Sequence, residues 1–412
     1  MRLFCRLVIG LLTLLPCAVG GAEPQWSQFR GGDGSGHSSA TGLPDTIGEN
    51  EHVRWKTPLT GKAWSSPVVW DDQVWVTNAS KDGKQLDAVC LDFKSGEIVH
   101  NVRVFDIAEP MYCYDYNSYG SPTPAIEAGR IYVSFGSAGT ACLDTRSGEM
   151  LWKRQDLKCD HHRGPASSPI LHGDLLLLQF DGFDVQYVVA LDKHTGETVW
   201  KQDRAFDYKT NNGDAKKGYG TPSIFRIGGR DLAVCPAAVA TETFDAKTGE
   251  RLWTVRHEGM NVAARPLYGE GLLFITNGMG RIIALPPEGA DDITPNIVWT
   301  GHKGVVKRTS PILIDGLLYM VTDDGIATAL EAKTGKNVWT KRLGGEFSAS
   351  PVYADGKLYF LNMEGESIVI KPGREYEEIS RGKFDDGFMA SPAIAGKSLI
   401  VRTRAAVYRL EK

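Results

Sequence analysis

A Ser-Pro dipeptide or a close variant recurs eight times, ending at Pro67, Pro122, Pro169, Pro222, Pro266, Pro311, Pro351 and Pro392. The steps between these prolines are 55, 47, 53, 44, 45, 40 and 41 residues. A fixed period of about 40–50 residues is the mark of a repeat array, because one such unit cannot bury its apolar face alone. The recurrence covers nearly the whole chain after residue 53, so length alone, which would suggest two or three domains, does not decide the architecture.

The sixth unit shows what repeats. Ser310-Pro311 leads into the apolar run Ile312-Leu313-Ile314. Proline has no N–H for a strand ladder, so it is expected at a strand's first residue. Asp315-Gly316 is a tight-turn pair, and Leu317 to Val321 reads as a second strand. Asp323-Asp324-Gly325 turns again, Ile326 to Glu331 forms a third strand, and Thr334-Gly335 turns into Asn337-Val338-Trp339. Four strands joined by hairpins make one antiparallel propeller blade. The last turn and strand recur as SGEMLW, TGETVW and TGERLW, ending at Trp152, Trp200 and Trp253. The first unit has His100 in place of the Trp, and the fifth replaces the turn with PPEGADDITPN before Trp299. The Trp side chains are expected to pack between neighbouring blades.

The eighth unit runs out after three strands. An unassigned strand, Val53-Arg54-Trp55-Lys56, stands near the start and has the missing character. The expected fold is therefore all-β: an eight-bladed β-propeller of four-stranded antiparallel blades, its ring closed by an N-terminal strand. Closure removes free sheet edges. The domain reading is a signal peptide at 1–22, an extended leader at 23–52 and the propeller at 53–412.

The N-terminus carries Arg2 and Arg6, an apolar run from Leu7 to Leu15, and small residues up to Ala22. That is an export signal, and its apolar run is too short for a membrane span. Pro16 before Cys17 departs from a lipobox, so cleavage near Ala22 into the periplasm or exterior is expected rather than lipid anchoring. The chain has a net charge of −4, and removing 1–22 takes away two Arg and no acid. This mild acidity argues against nucleic acid as a partner. Five cysteines follow the signal, an odd number, and no CxxC or Cys/His metal spacing occurs. Cys113 and Cys159 both lie in segments between units, where a bridge is conceivable. The leader QWSQFRGGDGSGHSS is expected to lie along the propeller surface, anchored by Trp26 and Phe29.

The segments LDKHTGETVW (191–200), FDAKTGERLW (244–253) and LDTRSGEMLW (143–152) resemble the PQQ-like propeller repeat, A-x-D-x-x-T-G-x-x-x-W. The resemblance covers 53–412. It implies a family that includes quinoprotein alcohol dehydrogenases, which hold PQQ with Ca²⁺, and the assembly factor BamB, a non-catalytic scaffold. The dehydrogenases use a disulfide between adjacent cysteines, and this chain has no adjacent pair. The resemblance therefore points to a monomeric binding scaffold for a protein or polysaccharide of the cell envelope, without a catalytic residue or metal. The alternative it leaves is a PQQ-dependent oxidoreductase.

Binding chemistry is expected in the segments before each Pro, because loops on a rigid scaffold tend to carry it. The two longest are 101–120 and 201–220. Ligand-binding candidates are Trp64, Tyr112, Tyr116, Tyr119, His162, Arg163, Lys217, Tyr219, Arg265 and Arg308, with Phe347 and Phe388 directed to the same face. Aromatic faces beside cations suit a planar or anionic ligand.

Overall fold

The computed structural model of the chain describes residues 25–412; the expected signal peptide, its cleavage site and Cys17 lie outside them. The described residues form eight sheets arranged as the blades of a propeller, each built on four antiparallel strands, with Asp291–Asp292 adding a short parallel pair at the outer edge of blade 4. Blade 1 runs from Val68–Trp70 to Ile98–Asp106, blade 2 from Ala125–Glu127 to Met150–Arg154, and blade 3 from Ile170–His172 to Thr198–Asp203. Blade 4 spans Ser223–Ile227 to Arg251–Arg256, and blade 5 Leu267–Gly269 to Trp299–Gly301. Blade 6 spans Ile312–Ile314 to Asn337–Arg342, and blade 7 Val352–Ala354 to Glu377–Lys383. Blade 8 takes its inner three strands from Ala393–Leu410 and its outer strand from Val53–Pro58.

That outer strand closes the ring. Trp55 pairs with Arg409, Lys56 with Tyr408 and Pro58 with Ala406. Blade 8 also grips blade 1 through Arg402, whose Nη1 donates to the Ser65 hydroxyl at 2.8 Å and to the Thr77 carbonyl at 2.9 Å.

The turn pattern now has a physical cause. Asp192 accepts the N–H groups of His194 and Thr195, at 2.9 and 2.8 Å, and so shapes the third turn. The equivalent backbone N–H bonds hold the Asp92 and Asp144 carboxyls below the usual range. The glycine that follows must take positive φ and lie flat beneath a neighbour's indole. At Gly249, φ is +74° and a Cβ would sit 2.6 Å from the Trp200 ring. Three of these indoles also donate to the turn they cover: Trp152 to Lys193 O at 2.9 Å, Trp200 to Ala246 O at 3.2 Å, and Trp299 to Ala332 O at 2.9 Å. The outer Trp is thus a peg set into the next blade.

Seven of the eight prolines immediately precede the inner strand rather than begin it, and Pro122 stands three residues ahead. The reason lies in the hydroxyl before the proline. Ser66 N–H donates to Thr123 Oγ1, Thr123 N–H to Ser168 Oγ, and Ser168 N–H to Thr221 Oγ1, at 2.9–3.0 Å. Ser310 N–H donates to Ser350 Oγ, Ser350 N–H to Ser391 Oγ, and Ser391 N–H back to Ser66 Oγ, at 2.9–3.0 Å. The repeated Ser-Pro is therefore a belt that ties blade to blade around the axis. Thr123 takes the role in blade 2, and Pro124 after it directly precedes the strand at Ala125, so the repeat's proline there is Pro124 rather than Pro122. The belt changes where Arg265 replaces the hydroxyl in blade 5, although its N–H still donates to Ser310 Oγ at 3.0 Å.

The leader does not lie on the outer surface. Gln25–Trp26 adds to the inner strand of blade 1, and Trp26 is 3% exposed. Ser27 O accepts from Ile126 N–H in blade 2, and Gln28 Oε1 accepts from Leu171 N–H in blade 3. Arg30, fully buried, donates to Pro351 O at 3.0 Å and Pro311 O at 2.9 Å. Arg265 donates to Phe29 O at 2.6 Å from the wall. The segment stoppers the central channel. Its glycines serve this crowding: a Cβ on Gly34 would fall 2.1 Å from the Arg265 guanidinium. Beyond the channel the leader runs outward over blade 7, where Lys357 and Tyr359 bond Leu43 O and Pro44 O.

The five described cysteines are free thiols, so Cys113 and Cys159 form no bridge. Cys90 and Cys142 are buried, as their strand positions require.

Candidate functional site

The segments that lead into the inner strands surround a cavity of about 530 Å³ on the channel axis. That falls within the usual range for small-ligand sites, about 300–1,000 Å³. Its floor includes Phe29 of the leader, and its walls include the belt residues Ser66, Thr123, Ser168, Thr221, Ser350 and Ser391. The cavity is therefore blind, opening opposite the stopper.

Five of the expected ligand residues line it: Trp64, Tyr116, Arg163, Tyr219 and Arg308. Arg308 lies over the Tyr116 ring at 4.3 Å and donates to Asp323 Oδ2 at 2.6 Å. Burial alone would lower this guanidinium, but Asp323 and Tyr116 outweigh it and raise it above its ordinary value. Burial raises the Tyr116 phenol, against the pull of Arg308. Tyr116 is held by Glu346, which accepts its hydroxyl at 3.1 Å. Arg163 stands 5.8 Å from the centre of the Tyr114 ring and only 3.9 Å from Asp214, so its charge is weakly compensated. Tyr219 is fixed by Val262 O, which accepts its N–H at 2.7 Å, and burial drives its phenol well up.

The other five stand elsewhere. Tyr112 is 65% exposed on the rim. Tyr119 donates to Met111 O at 2.8 Å and packs over Gly83. His162 stacks on Phe183 with ring centres 5.2 Å apart. The Lys217 side chain is fully buried and paired with Asp214. Arg265 is spent on the leader and on Ser223 Oγ, at 3.0 Å. Phe347 and Phe388 are core residues with no exposure, because they pack between blades rather than at the mouth.

The sequence reading also missed members of the wall. Asn261, Met279 and Met389 belong to short segments without a pattern, and Phe29 belongs to the leader. Tyr114, Asn117 and Lys307, which the segments before each Pro already direct to this face, line the wall as well. The one signal that could have found the belt was the Ser of Ser-Pro, read only as a strand marker. Two polar atoms of wall residues, the Trp64 indole N–H and Asn261 Oδ1, are buried without a partner. Buried polar groups are ordinarily paired, so these are places where a ligand or water can act.

The residues present do not fit calcium-assisted quinone chemistry. Among the described residues Asp323 is the only carboxylate lining the cavity, and Arg308 already holds it. Among the described residues no three His, Cys, Asp or Glu side chains gather as a metal cage. Among them, too, no helix is long and apolar enough to cross a membrane.

A family model described as outer membrane protein assembly factor BamB matches residues 117–202, 239–342 and 291–372, together more than half of the chain. A comparison with curated proteins finds no match. Solved structures with the same fold include a europium-containing methanol dehydrogenase, 13% identical, with a TM-score of 0.72 over 93% of this chain and 90% of that one. BamB from Moraxella catarrhalis is 14% identical, with a TM-score of 0.60 over 87% of this chain and 99% of its own. Quinohemoprotein alcohol dehydrogenase from Comamonas testosteroni is 11% identical, with a TM-score of 0.68 over 94% and 80%. At such identities the likeness is one of fold.

Proposed function

The chain belongs to the PQQ-like propeller family described by the assembly factor BamB, and from that premise we propose that it is a non-catalytic binding scaffold of the cell envelope. It is periplasmic or secreted, and it takes a protein or glycan partner at the channel mouth. One observation carries this reading. Aromatic and cationic side chains converge on one blind cavity whose only carboxylate among the described residues is neutralised by Arg308. General acid–base chemistry needs a group free to exchange a proton at the reacting atom, and Asp323 is committed to its ion pair. What remains is a surface that holds rather than reacts. The sheets beneath it are pegged and belted, so the mouth is pre-formed and little ordering cost falls on binding.

Two measurements test this. The purified protein is titrated with PQQ and Ca²⁺ and assayed for dye-linked alcohol oxidation; no spectral change and no turnover are expected, and turnover would overturn the reading. The protein is also immobilised and exposed to an envelope extract beside a Tyr116→Ala/Arg163→Gln variant of unchanged melting temperature. Retention by the wild type alone is expected. Equal retention by both would remove the mouth from the function.

A further inference from the structure

The belt has a chemical consequence beyond holding the ring. Each of its wall hydroxyls already accepts a backbone N–H, as in Ser391 to Ser66 at 3.0 Å and Thr123 to Ser168 at 3.0 Å. Among the described residues none of these wall hydroxyls finds a protein acceptor for its own hydrogen. A serine hydroxyl with its acceptor side engaged offers a donor. The cavity is therefore ringed by donors. Arg163 and Lys307 add charge to the same wall: Arg163 meets its nearest acid only at 3.9 Å, and Lys307 makes no ion pair among the described residues. The wall is net positive in a chain of net charge −4. Such a lining recognises acceptor-rich, anionic groups.

Shape narrows the ligand further. Phe29 closes the floor, and Arg30 ties the leader to blades 6 and 7 from below. A chain cannot pass through, so what enters is an end. Trp64 and Tyr219 line the same cavity as the hydroxyl donors, a combination suited to a ring with one apolar face and a rim of oxygen acceptors.

We propose that the cavity takes the carboxylate-bearing terminal residue of an acidic oligosaccharide. The proposal rests on the scaffold reading and specifies its ligand. Its test is calorimetric titration of the full mature chain with trimers of mannuronate, guluronate and galacturonate. Their carboxyl-reduced neutral counterparts, a hexuronate chain blocked at both ends, and poly-glutamate serve as comparisons. At least one acidic trimer should bind, with affinity falling as salt rises. Its neutral counterpart and the blocked chain should each bind about tenfold or more weaker. Arg163→Gln and Lys307→Gln should each weaken the acidic trimer and leave weak binding of the neutral one unchanged, which a merely structural role would not do. Equal binding of acidic and neutral trimers, equal binding of the blocked chain, or binding of none of the trimers would overturn the proposal. If poly-glutamate binds at the mouth and sugars do not, the ligand class falls while the scaffold reading stands. Turnover with PQQ would bring down the scaffold reading itself.

Discussion

Trp55 lies on the strand that closes the ring and is also the peg that docks blade 8 on blade 1. It is 7% exposed, its indole donates to Phe93 O at 2.9 Å, and a Cβ on Gly96 would sit 2.5 Å from its ring. Trp55→Ala removes nearly all of that packing, and emptying such a site costs about 3–5 kcal/mol. The carbonyl left behind is not orphaned, because Arg409 also donates to Phe93 O at 3.0 Å. Trp55→Phe, which keeps most of the apolar contact, should therefore cost only about 0.5–1.5 kcal/mol, the net value of one hydrogen bond. For about 390 residues unfolding as one unit, the transition entropy is about 0.8 kcal/mol/K, so a loss of about 4 kcal/mol lowers the melting temperature by about 5 °C. The assay is differential scanning calorimetry of wild type, Trp55→Ala and Trp55→Phe. One transition is expected in all three, shifted by about 4–6 °C in the first variant and about 1–2 °C in the second. An unshifted melt for Trp55→Ala, or an early separate transition confined to one blade, would refute closure through 53–58.

Three further outcomes follow from the same geometry. Burial holds the His161 and His257 imidazoles neutral, each lowered to about 4; the unfolded chain binds those protons near pH 6.5, so stability falls as pH drops from about 6.5 toward 4, by about 2 kcal/mol per histidine at pH 5. Urea midpoints at pH 7 and 5 should converge for His257→Gln relative to wild type, and an unchanged acid slope would contradict this. Gly249→Ala, under the Trp200 ring, should cost about 2–3 kcal/mol, whereas Gly229→Ala, at φ +81° with nothing within 4 Å, should cost only the backbone strain of about 1–2 kcal/mol; chemical denaturation compares the two, and equal costs would refute the docking role of the glycine. Arg265→Ser should free the leader from its 2.6 Å bond at Phe29 O, so limited proteolysis is expected to cut within 25–37 sooner than in wild type, and unchanged resistance would show that Arg265 does not hold the stopper.

Most of the scaffold was legible because each blade depends on local, periodic chemistry. Leu317–Val321 and Ile326–Glu331 lie where their turns place them, and Asp315 and Gly316 take the positive φ of a two-residue hairpin turn. Closure was legible because one strand was missing at one end of the repeat and spare at the other. The leader was misread for a physical reason: glycine-rich sequence suits an exposed coil, but it also suits a chain threaded among buried arginines, and only the contacts of Gly34 and Gly36 separate the two. The site was half legible. Tyr116 and Arg308 belong to it because they stack on each other across blades, a meeting that no spacing in the chain announces. Arg265 and Lys217 were drawn away by the leader and by Asp214, which sequence proximity to the mouth did not reveal.

The most direct test of the account is hydrogen exchange of the purified protein with and without saturating acidic hexuronate trimer. The account predicts slowed exchange concentrated in 107–121, 155–168 and 302–310, the segments that bring Tyr116, Arg163 and Arg308 to the cavity, with the outer strands unchanged. Protection centred on outer strands such as Ile98–Asp106, with the mouth segments exchanging as before, would contradict it.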